Sequence, residues 1–263
     1  GRRLRRISAA SAGANPHVHD AREILDQPEL YDPPPPGIVV ERSHCPHCGH
    51  QLSWYENIPL LSWLALGGKC RSCKAPISIQ YPLVELLTAL LFVACVWQFG
   101  FGWKGFGAML LTGFLIAMSG IDLRTRLLPD QLTLPLLWLG LIASVENLYV
   151  GQKAALLGAM AGYLSLWSVY WLFKQLTGKE GMGHGDFKLL AALGAWTGLA
   201  GVLPTGLISS LVGAVIGSIW LAMKGKDKAT PIPFGPYLAI AGWITFFWGH
   251  DLVGAYMRFA GLA

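Results

Sequence analysis

Residues 81–103 read YPLVELLTALLFVACVWQFGFGW and mark the point at which the sequence changes from a charged region suited to water to an apolar region suited to lipid. Glu85 is the one charged residue in the run, which is long enough to cross a bilayer as a helix, since about 17–25 apolar residues suffice. Before this point, residues 1–81 carry 16 of the 35 charged residues. The remaining 182 residues carry the other 19, a density typical of membrane spans joined by short loops.

Seven apolar stretches of this kind occupy the second part of the chain. They cover residues 83–103, 105–121, 132–150, 154–173, 189–203, 205–223 and 237–253. The whole sequence is 53% hydrophobic and 13% charged, which excludes a disordered chain and argues against a soluble enzyme. The sequence therefore predicts an all-α fold, a polytopic membrane helix bundle with about seven spans.

The basic residues predict how this bundle is oriented. Seventeen of the 20 Lys and Arg lie in the N-terminal region or in every second connection, and the alternate connections and the tail hold only Lys104, Lys153 and Arg258. The positive-inside rule places the first set in the cytoplasm. The net charge of +5 follows from this topology, so we expect membrane lipid, and no nucleic acid, as a partner.

Four cysteines form a module ahead of the first stretch. Two C-x2-C motifs, Cys45/Cys48 and Cys70/Cys73, are separated by 21 residues, a spacing that lets four thiolates converge on one structural zinc ion. Two disulfides or four unliganded thiols are the alternatives, and disulfides are rare in a reducing cytoplasm. The histidines that offer substitute ligands are His44, His47 and His50. We expect a flexible N-terminal arm at 1–42, a zinc module at 43–81 and a membrane domain at 82–263.

Two aspartates lie at the predicted cytoplasmic boundary. Asp122 ends the second apolar stretch, and Asp186 opens the fifth. Two carboxyls in a partly dry site share one proton, an arrangement that suits acid–base activation of water against a peptide carbonyl. The helix dipole favours an ionised Asp186 and a protonated Asp122. The alternatives are that Asp186 caps a helix and that Asp122 pairs with Arg124 or Arg126.

Other residues near these aspartates are candidates for contact with a substrate. Gly183 and Gly185 allow an extended backbone to approach closely. Lys188 contacts an acidic substrate group or extends to the membrane surface. Glu85 binds a substrate group or supports the cysteine module, and Asp130 is expected to cap the helix that follows it.

Together these motifs resemble the bacterial type IV prepilin peptidases, which are GxGD aspartic peptidases. The resemblance rests on the cysteine module, YPLVEL at 81–86, LPD at 128–130, GHGD at 183–186 and PIPFGP at 231–236. It implies that residues 82–263 form a membrane aspartic peptidase domain with Asp122 and Asp186 as the catalytic pair, and that the cysteines hold zinc. Family members usually carry another hydrophobic helix before the cysteine loop, and residues 1–42 contain none.

The resemblance also implies substrates and a second activity. Such enzymes cleave the leader peptide from type IV prepilins and type II secretion pseudopilins at the bacterial inner membrane. They then methylate the new N-terminal amine with S-adenosylmethionine. The composition alone also fits a proton-coupled membrane transporter with a cytoplasmic zinc module, or a membrane scaffold whose zinc module binds a partner.

Overall fold

The computed structural model describes residues 43–178, 183–224, 233–259 and 261. The flexible arm predicted at 1–42 lies outside the described residues. The chain divides into two compact units, Gly1–Ile77 and Ser78–Ala263, and each is described here by itself.

The first unit contains two tight turns of nearly the same construction. In the first turn the Cys45 N–H donates to the His50 carbonyl at 2.9 Å, and in the second the Cys70 N–H donates to the Ala75 carbonyl at 2.8 Å. Each turn closes through a residue with positive φ, Gly49 or Lys74. Two short helices lie between the turns, a 3-10 helix at Trp54–Asn57 and α1 at Leu61–Ala65.

The second unit consists of six α-helices. They are α2 (Gln80–Phe99), α3 (Trp103–Thr125), α4 (Asp130–Val145), α5 (Gln152–Thr177), α6 (His184–Lys224) and α7 (Gly235–Phe259). The described parts of the chain contain two isolated β-bridges and no strand, which confirms the all-α prediction. Four segments are long and apolar enough to cross a membrane: Gln80–Phe99, Trp103–Thr125, Gln152–Thr177 and His184–Ile219.

Helix α6 contains two of the predicted apolar stretches and a break at a place that the sequence did not indicate. The backbone is non-helical at Gly198, with φ 74° and ψ 178°, whereas residues 203–205 continue the helix through Pro204. The predicted boundary between 189–203 and 205–223 is therefore wrong. Hydrophobicity is continuous across the whole region, so the break follows from the backbone freedom of one glycine.

The chain reverses direction at this break. An uninterrupted helix would place Gly185 and Gly213, 28 residues apart, about 42 Å from each other. Instead, both lie beside the same part of the fold. A Cβ at Gly185 would lie 2.6 Å from Leu128, which also contacts Gly235, and a Cβ at Gly213 would lie 3.5 Å from Phe234. The two halves of α6, 184–197 and 199–224, are consequently antiparallel neighbours.

Small residues allow α5 and the first half of α6 to pack closely. A Cβ at Gly158 would lie 2.3 Å from the Gly194 carbonyl oxygen, and one at Gly162 would lie 2.5 Å from the Leu190 carbonyl oxygen. The absence of a side chain at these two glycines lets the two helix backbones approach each other closely. The Trp196 indole N–H donates to the Leu136 carbonyl at 2.9 Å and ties α6 to α4.

A buried polar cluster joins three other helices. The Thr112 hydroxyl on α3 donates to the Ala108 carbonyl, accepts from the Trp243 indole of α7 at 3.0 Å, and lies 3.2 Å from the Cys95 thiol of α2. Cys95 is completely buried, as expected of a small core residue. The cluster fixes α2 and α7 against α3, the helix that carries Asp122.

Candidate active site

The two aspartates singled out in the sequence lie at helix ends in the membrane domain, and both are buried. Asp122 lies in the last turn of α3 and is 4% exposed, and Asp186 lies in the first turn of α6 and is 8% exposed. Both carboxyls belong to helix ends that adjoin Leu128. The Gly235 N–H, at the start of α7, donates to Asp122 Oδ2 at 2.9 Å.

One leucine side chain brings the three helix ends together. Leu128 lies between two glycines, because a Cβ at Gly185 would lie 2.6 Å from Leu128 Cβ and one at Gly235 would lie 3.2 Å from its Cδ2. Gly185 immediately precedes Asp186, and Gly235 is bonded to Asp122. Leu128 therefore sets the spacing between the end of α6, which carries Asp186, and the end of α7, where Gly235 binds Asp122.

The local sequence explains why Leu128 points back to this place. Arg126 ends α3 in the left-handed conformation, with φ 57°, and its N–H donates to the Asp122 carbonyl at 2.8 Å. Pro129 then precedes the first residue of α4 with an extended backbone. The connection is thus only a few residues long and folds tightly across the end of α3.

The structure bears on both alternatives for the aspartates. The side-chain bond described for Asp122 is to Gly235, and Arg124 donates to Gln80 at 3.4 Å. Helix α6 begins at His184, so Asp186 is its third residue and not its cap. Both aspartates lie where the ends of α3, α6 and α7 meet around Leu128.

The predicted substrate contacts occupy different settings. Gly183 is exposed, and a Cβ there would lie 3.8 Å from Asp186 Oδ2, whereas the near neighbour of Gly185 is Leu128. Glu85 is half-buried in α2. A substrate contact by any of these residues stays a prediction.

Lys188 is held by a partner inside the protein. Its Nζ donates to both carboxylate oxygens of Asp130, at 2.6 and 2.7 Å. The expected capping role of Asp130 is wrong, because Pro129 occupies the cap position and Asp130 is the first helical residue. Sequence reasoning missed this pair and the contacts of Leu128. The signals present were LPD at 128–130, in which Asp130 alone was given a role, as a helix cap, and the glycine of PIPFGP.

The four cysteines of the first unit converge. Their Sγ atoms all lie within 4.8 Å of one another, with Cys45–Cys73 at 3.8 Å and Cys48–Cys70 at 4.0 Å. Metal–sulfur bonds of about 2.3 Å in a tetrahedron imply sulfur–sulfur edges of about 3.8 Å, so the donor set fits a tetrahedral thiolate-bound metal ion. Backbone N–H groups of Cys73 and Ser72 lower the pKa of the Cys70 thiol to about 6, which favours the thiolate form that metals bind.

A buried glutamate supports the first of the two turns. Glu56, in the 3-10 helix between the turns, is 7% exposed, accepts the Ser53 N–H at 2.8 Å and lies 3.4 Å from His50 Nε2. The Ser53 N–H is the main cause that lowers the pKa of Glu56. The His50 carbonyl accepts the Cys45 N–H. By restraining His50, Glu56 therefore supports the turn that presents Cys45.

Buried paired carboxyls on an all-helical, membrane-spanning scaffold, together with a four-cysteine module, define the class of intramembrane aspartic peptidases. Residues 25–99 match the model of the Bacterial Peptidase A24 N-terminal domain, and residues 109–218 match that of the Type IV leader peptidase family. With the relatives described next, these matches show that the chain belongs to the type IV leader peptidase family.

Three relatives share the name prepilin leader peptidase/N-methyltransferase. The protein from Xanthomonas campestris pv. campestris is 74% identical over 92% of this chain and 85% of its own length. That from Stutzerimonas stutzeri is 56% identical over 92% and 84%, and that from Pseudomonas aeruginosa is 60% identical over 85% and 77%. No solved structure matches the chain. These relatives support the peptidase prediction and give no support to the transporter alternative.

Proposed function

We propose that this protein is a membrane aspartic endopeptidase that removes the leader peptide of type IV prepilins and type II secretion pseudopilins. The observation that carries the proposal is the meeting of two buried carboxyls, Asp122 and Asp186, at the ends of three helices. The names of the relatives supply the substrate class.

The chemistry follows from the positions of the two carboxyls. Asp186, in the first turn of α6 where the helix dipole favours an anion, removes a proton from water, and the resulting hydroxide attacks the scissile carbonyl carbon. Asp122 donates its proton to the carbonyl oxygen. The bond from Gly235 holds Asp122 Oδ2 as an acceptor, so Oδ1 carries that proton. Asp186 then gives the proton that it took from water to the leaving amine nitrogen, and Asp122 takes a hydroxyl proton back from the tetrahedral intermediate. The C–N bond breaks in this step, and both carboxyls return to their starting states.

The substrate reaches this pair from the exposed side of Gly183. The space beside this glycine admits an extended backbone next to Asp186 Oδ2, whereas Leu128 fills the space beside Gly185. Glu85 is proposed to bind a basic group of the leader, since it is a half-buried carboxylate near the start of α2.

The site belongs at the cytoplasmic face of the bacterial inner membrane. The distribution of Lys and Arg supports this placement, because the connections that follow Asp122 and precede Asp186 are both basic. A prepilin has a basic leader and an apolar helix, so its cleavage point falls at the same boundary. The basic residues Lys69, Arg71 and Lys74 favour a cytoplasmic cysteine module, which binds one structural zinc ion through Cys45, Cys48, Cys70 and Cys73.

The second proposed activity is methylation of the amine that cleavage exposes. In that reaction the amine nitrogen would lose a proton and take the methyl group of S-adenosylmethionine, whose sulfur–methyl bond would break to leave S-adenosylhomocysteine. The shared name of the relatives supports this activity. The described residues contain no Gly-rich strand-to-helix motif of the kind that binds nucleotides, so a different type of site holds the donor.

Purified protein incubated with a prepilin tests the peptidase proposal. We expect a product shortened by the leader, and loss of cleavage in both Asp122→Asn and Asp186→Asn, because each carboxyl has its own task in the reaction. Asp251→Asn is the matched control, since this exposed aspartate lies near the other end of α7. Normal cleavage by either active-site variant would contradict the paired mechanism.

The same incubation with S-adenosylmethionine labelled in its methyl group tests the second activity. We expect label on the N-terminus of the cleaved product and none on an uncleaved prepilin, because the amine is exposed only by cleavage. Cleavage without label would refute methyl transfer and leave the peptidase proposal standing.

A further inference from the structure

One ion pair lies beside the active site and has no task in the mechanism above. Lys188 is on α6 two residues after Asp186, and its Nζ donates to both carboxylate oxygens of Asp130 at 2.6 and 2.7 Å. The two partners are 58 residues apart in the chain and are partly exposed, at 29% and 56% of their side-chain surfaces. A bidentate contact between distant elements restrains both of them.

The Lys188–Asp130 ion pair lies near the contact between Leu128 and Gly185. Asp130 follows Leu128 by two residues, and Lys188 follows Gly185 by three residues, on the same side of α6. The connection between α3 and α4 is thus attached to the start of α6 at two places. One is the packing of Leu128 on Gly185, and the other is the ion pair.

The α3–α4 connection also contacts the residue that binds the Asp122 carboxyl. Leu128 also contacts Gly235, and the Gly235 N–H is bonded to Asp122 Oδ2. A continuous series of contacts therefore runs from Asp186 along α6 to Lys188, and from there through Asp130, Leu128 and Gly235 to Asp122. A movement of the α3–α4 connection away from α6 changes the distance between the two carboxyls.

We propose that Lys188 and Asp130 are positioning residues that hold the α3–α4 connection against α6 and so fix the spacing of Asp122 and Asp186. The inference rests on the proposed peptidase function. It differs from the sequence prediction for Lys188, in which the ammonium group contacts the substrate. It also differs from a purely structural role, in which loss of the pair merely reduces the amount of folded protein.

The test is a double-mutant cycle with Asp130→Asn, Lys188→Gln and the double variant, measured as kcat and KM for prepilin cleavage. Displacement of reacting groups by about 1 Å costs up to about 100-fold in rate. We expect each single variant to lower kcat by about 10- to 100-fold with KM unchanged. The double variant should lose no more than either single variant, because the two residues act through one contact. Lys188→Arg should retain most of the activity, since it keeps the ion pair.

The pH profile of kcat separates positioning from the other roles. Moving the carboxyls apart weakens their repulsion, so the two limbs of a bell-shaped profile move closer together in both single variants. A direct effect of charge would move both limbs to higher pH in Lys188→Gln and both limbs to lower pH in Asp130→Asn, because the two substitutions remove opposite charges. The matched controls, Lys153→Gln and Asp251→Asn, remove exposed charges distant in sequence from the pair and should leave kcat and the profile unchanged.

Each other outcome overturns the proposal in a distinct way. A raised KM in Lys188→Gln with a normal Asp130→Asn would assign Lys188 to the substrate. Both limbs moving to higher pH in Lys188→Gln and to lower pH in Asp130→Asn would show a charge effect. An unaltered profile with less folded protein would show a structural role only. Absence of cleavage by the unsubstituted protein would instead refute the proposed function itself.

Discussion

At the scale of single residues, the active site depends on two positions without a side chain, Gly185 and Gly235. Gly185 and Gly235 leave the space that Leu128 occupies, and Gly235 also lies against Asp122. In a close-packed interior the neighbouring side chains already fill their own volumes. They therefore cannot make room, by small adjustments, for a side chain added at either glycine. The two carboxyls are therefore positioned by glycines as much as by the helices that carry them.

We predict that Gly235→Ala impairs cleavage while the N–H that binds Asp122 is still present. The new Cβ would lie 2.7 Å from Asp122 Oδ2 and 3.2 Å from Leu128 Cδ2, so the carboxyl has to move. A fall of about 10- to 100-fold in kcat is expected from this displacement. Gly120→Ala is the matched control, because this glycine lies on the same helix as Asp122 and has open space around it. Equal activity in both variants would refute the argument.

At the scale of elements, the 3-10 helix at Trp54–Asn57 supports the cysteine module through Glu56. We predict that Glu56→Ala and His50→Ala each weaken metal binding by about 10-fold, because the turn that presents Cys45 loses its support. Competition between the protein and a chelator for Co²⁺, followed by the visible absorption of the thiolate-bound ion, measures the affinity.

The control for this prediction is His47→Ala. His47 is exposed within the same turn, and we expect its removal to leave the affinity unchanged. A loss of affinity in His47→Ala equal to that in His50→Ala would instead favour the alternative in which histidines replace cysteines as ligands.

The reversal in α6 gives a second prediction at this scale. Gly198 has φ 74° and ψ 178°, a backbone region that is open essentially only to glycine, and a Cβ there would lie 3.4 Å from Ala154 Cβ. Gly198→Ala should lower the free energy of unfolding by about 1–3 kcal/mol, measured as thermal or denaturant unfolding in detergent. Gly206→Ala, in the helical second half with open space around it, should have little effect. Equal stability of the two variants would contradict the reversal.

The elements show what the sequence could predict and what it could not. Regular spacing predicted the convergence of the cysteines, and a change in composition at a helix end singled out Asp122 and Asp186. Neither signal applies to Gly198, because a glycine in a continuous apolar run gives no sign of its dihedral angles. The Lys188–Asp130 pair joins positions 58 residues apart, and only the three-dimensional packing brings them together.

At the scale of the whole molecule, the membrane orientation can be tested directly. A membrane-impermeant maleimide applied to spheroplasts should label Lys104→Cys and Lys153→Cys and should not label Arg124→Cys. The first two positions lie in connections poor in basic residues, which the positive-inside rule places outside. The unsubstituted protein is the control, since its exposed thiols belong to the cysteine module, which the proposed topology places on the cytoplasmic side. Labelling of Arg124→Cys in sealed spheroplasts would invert the proposed topology.

The antiparallel halves of α6 also constrain how the protein is made. The first half, 184–197, contains 14 residues and extends about 21 Å, short of the roughly 30 Å of hydrocarbon in a bilayer. A segment of this length is a poor signal for the insertion machinery when it emerges from the ribosome alone. We therefore expect 184–197 to integrate together with 199–224, as one hairpin.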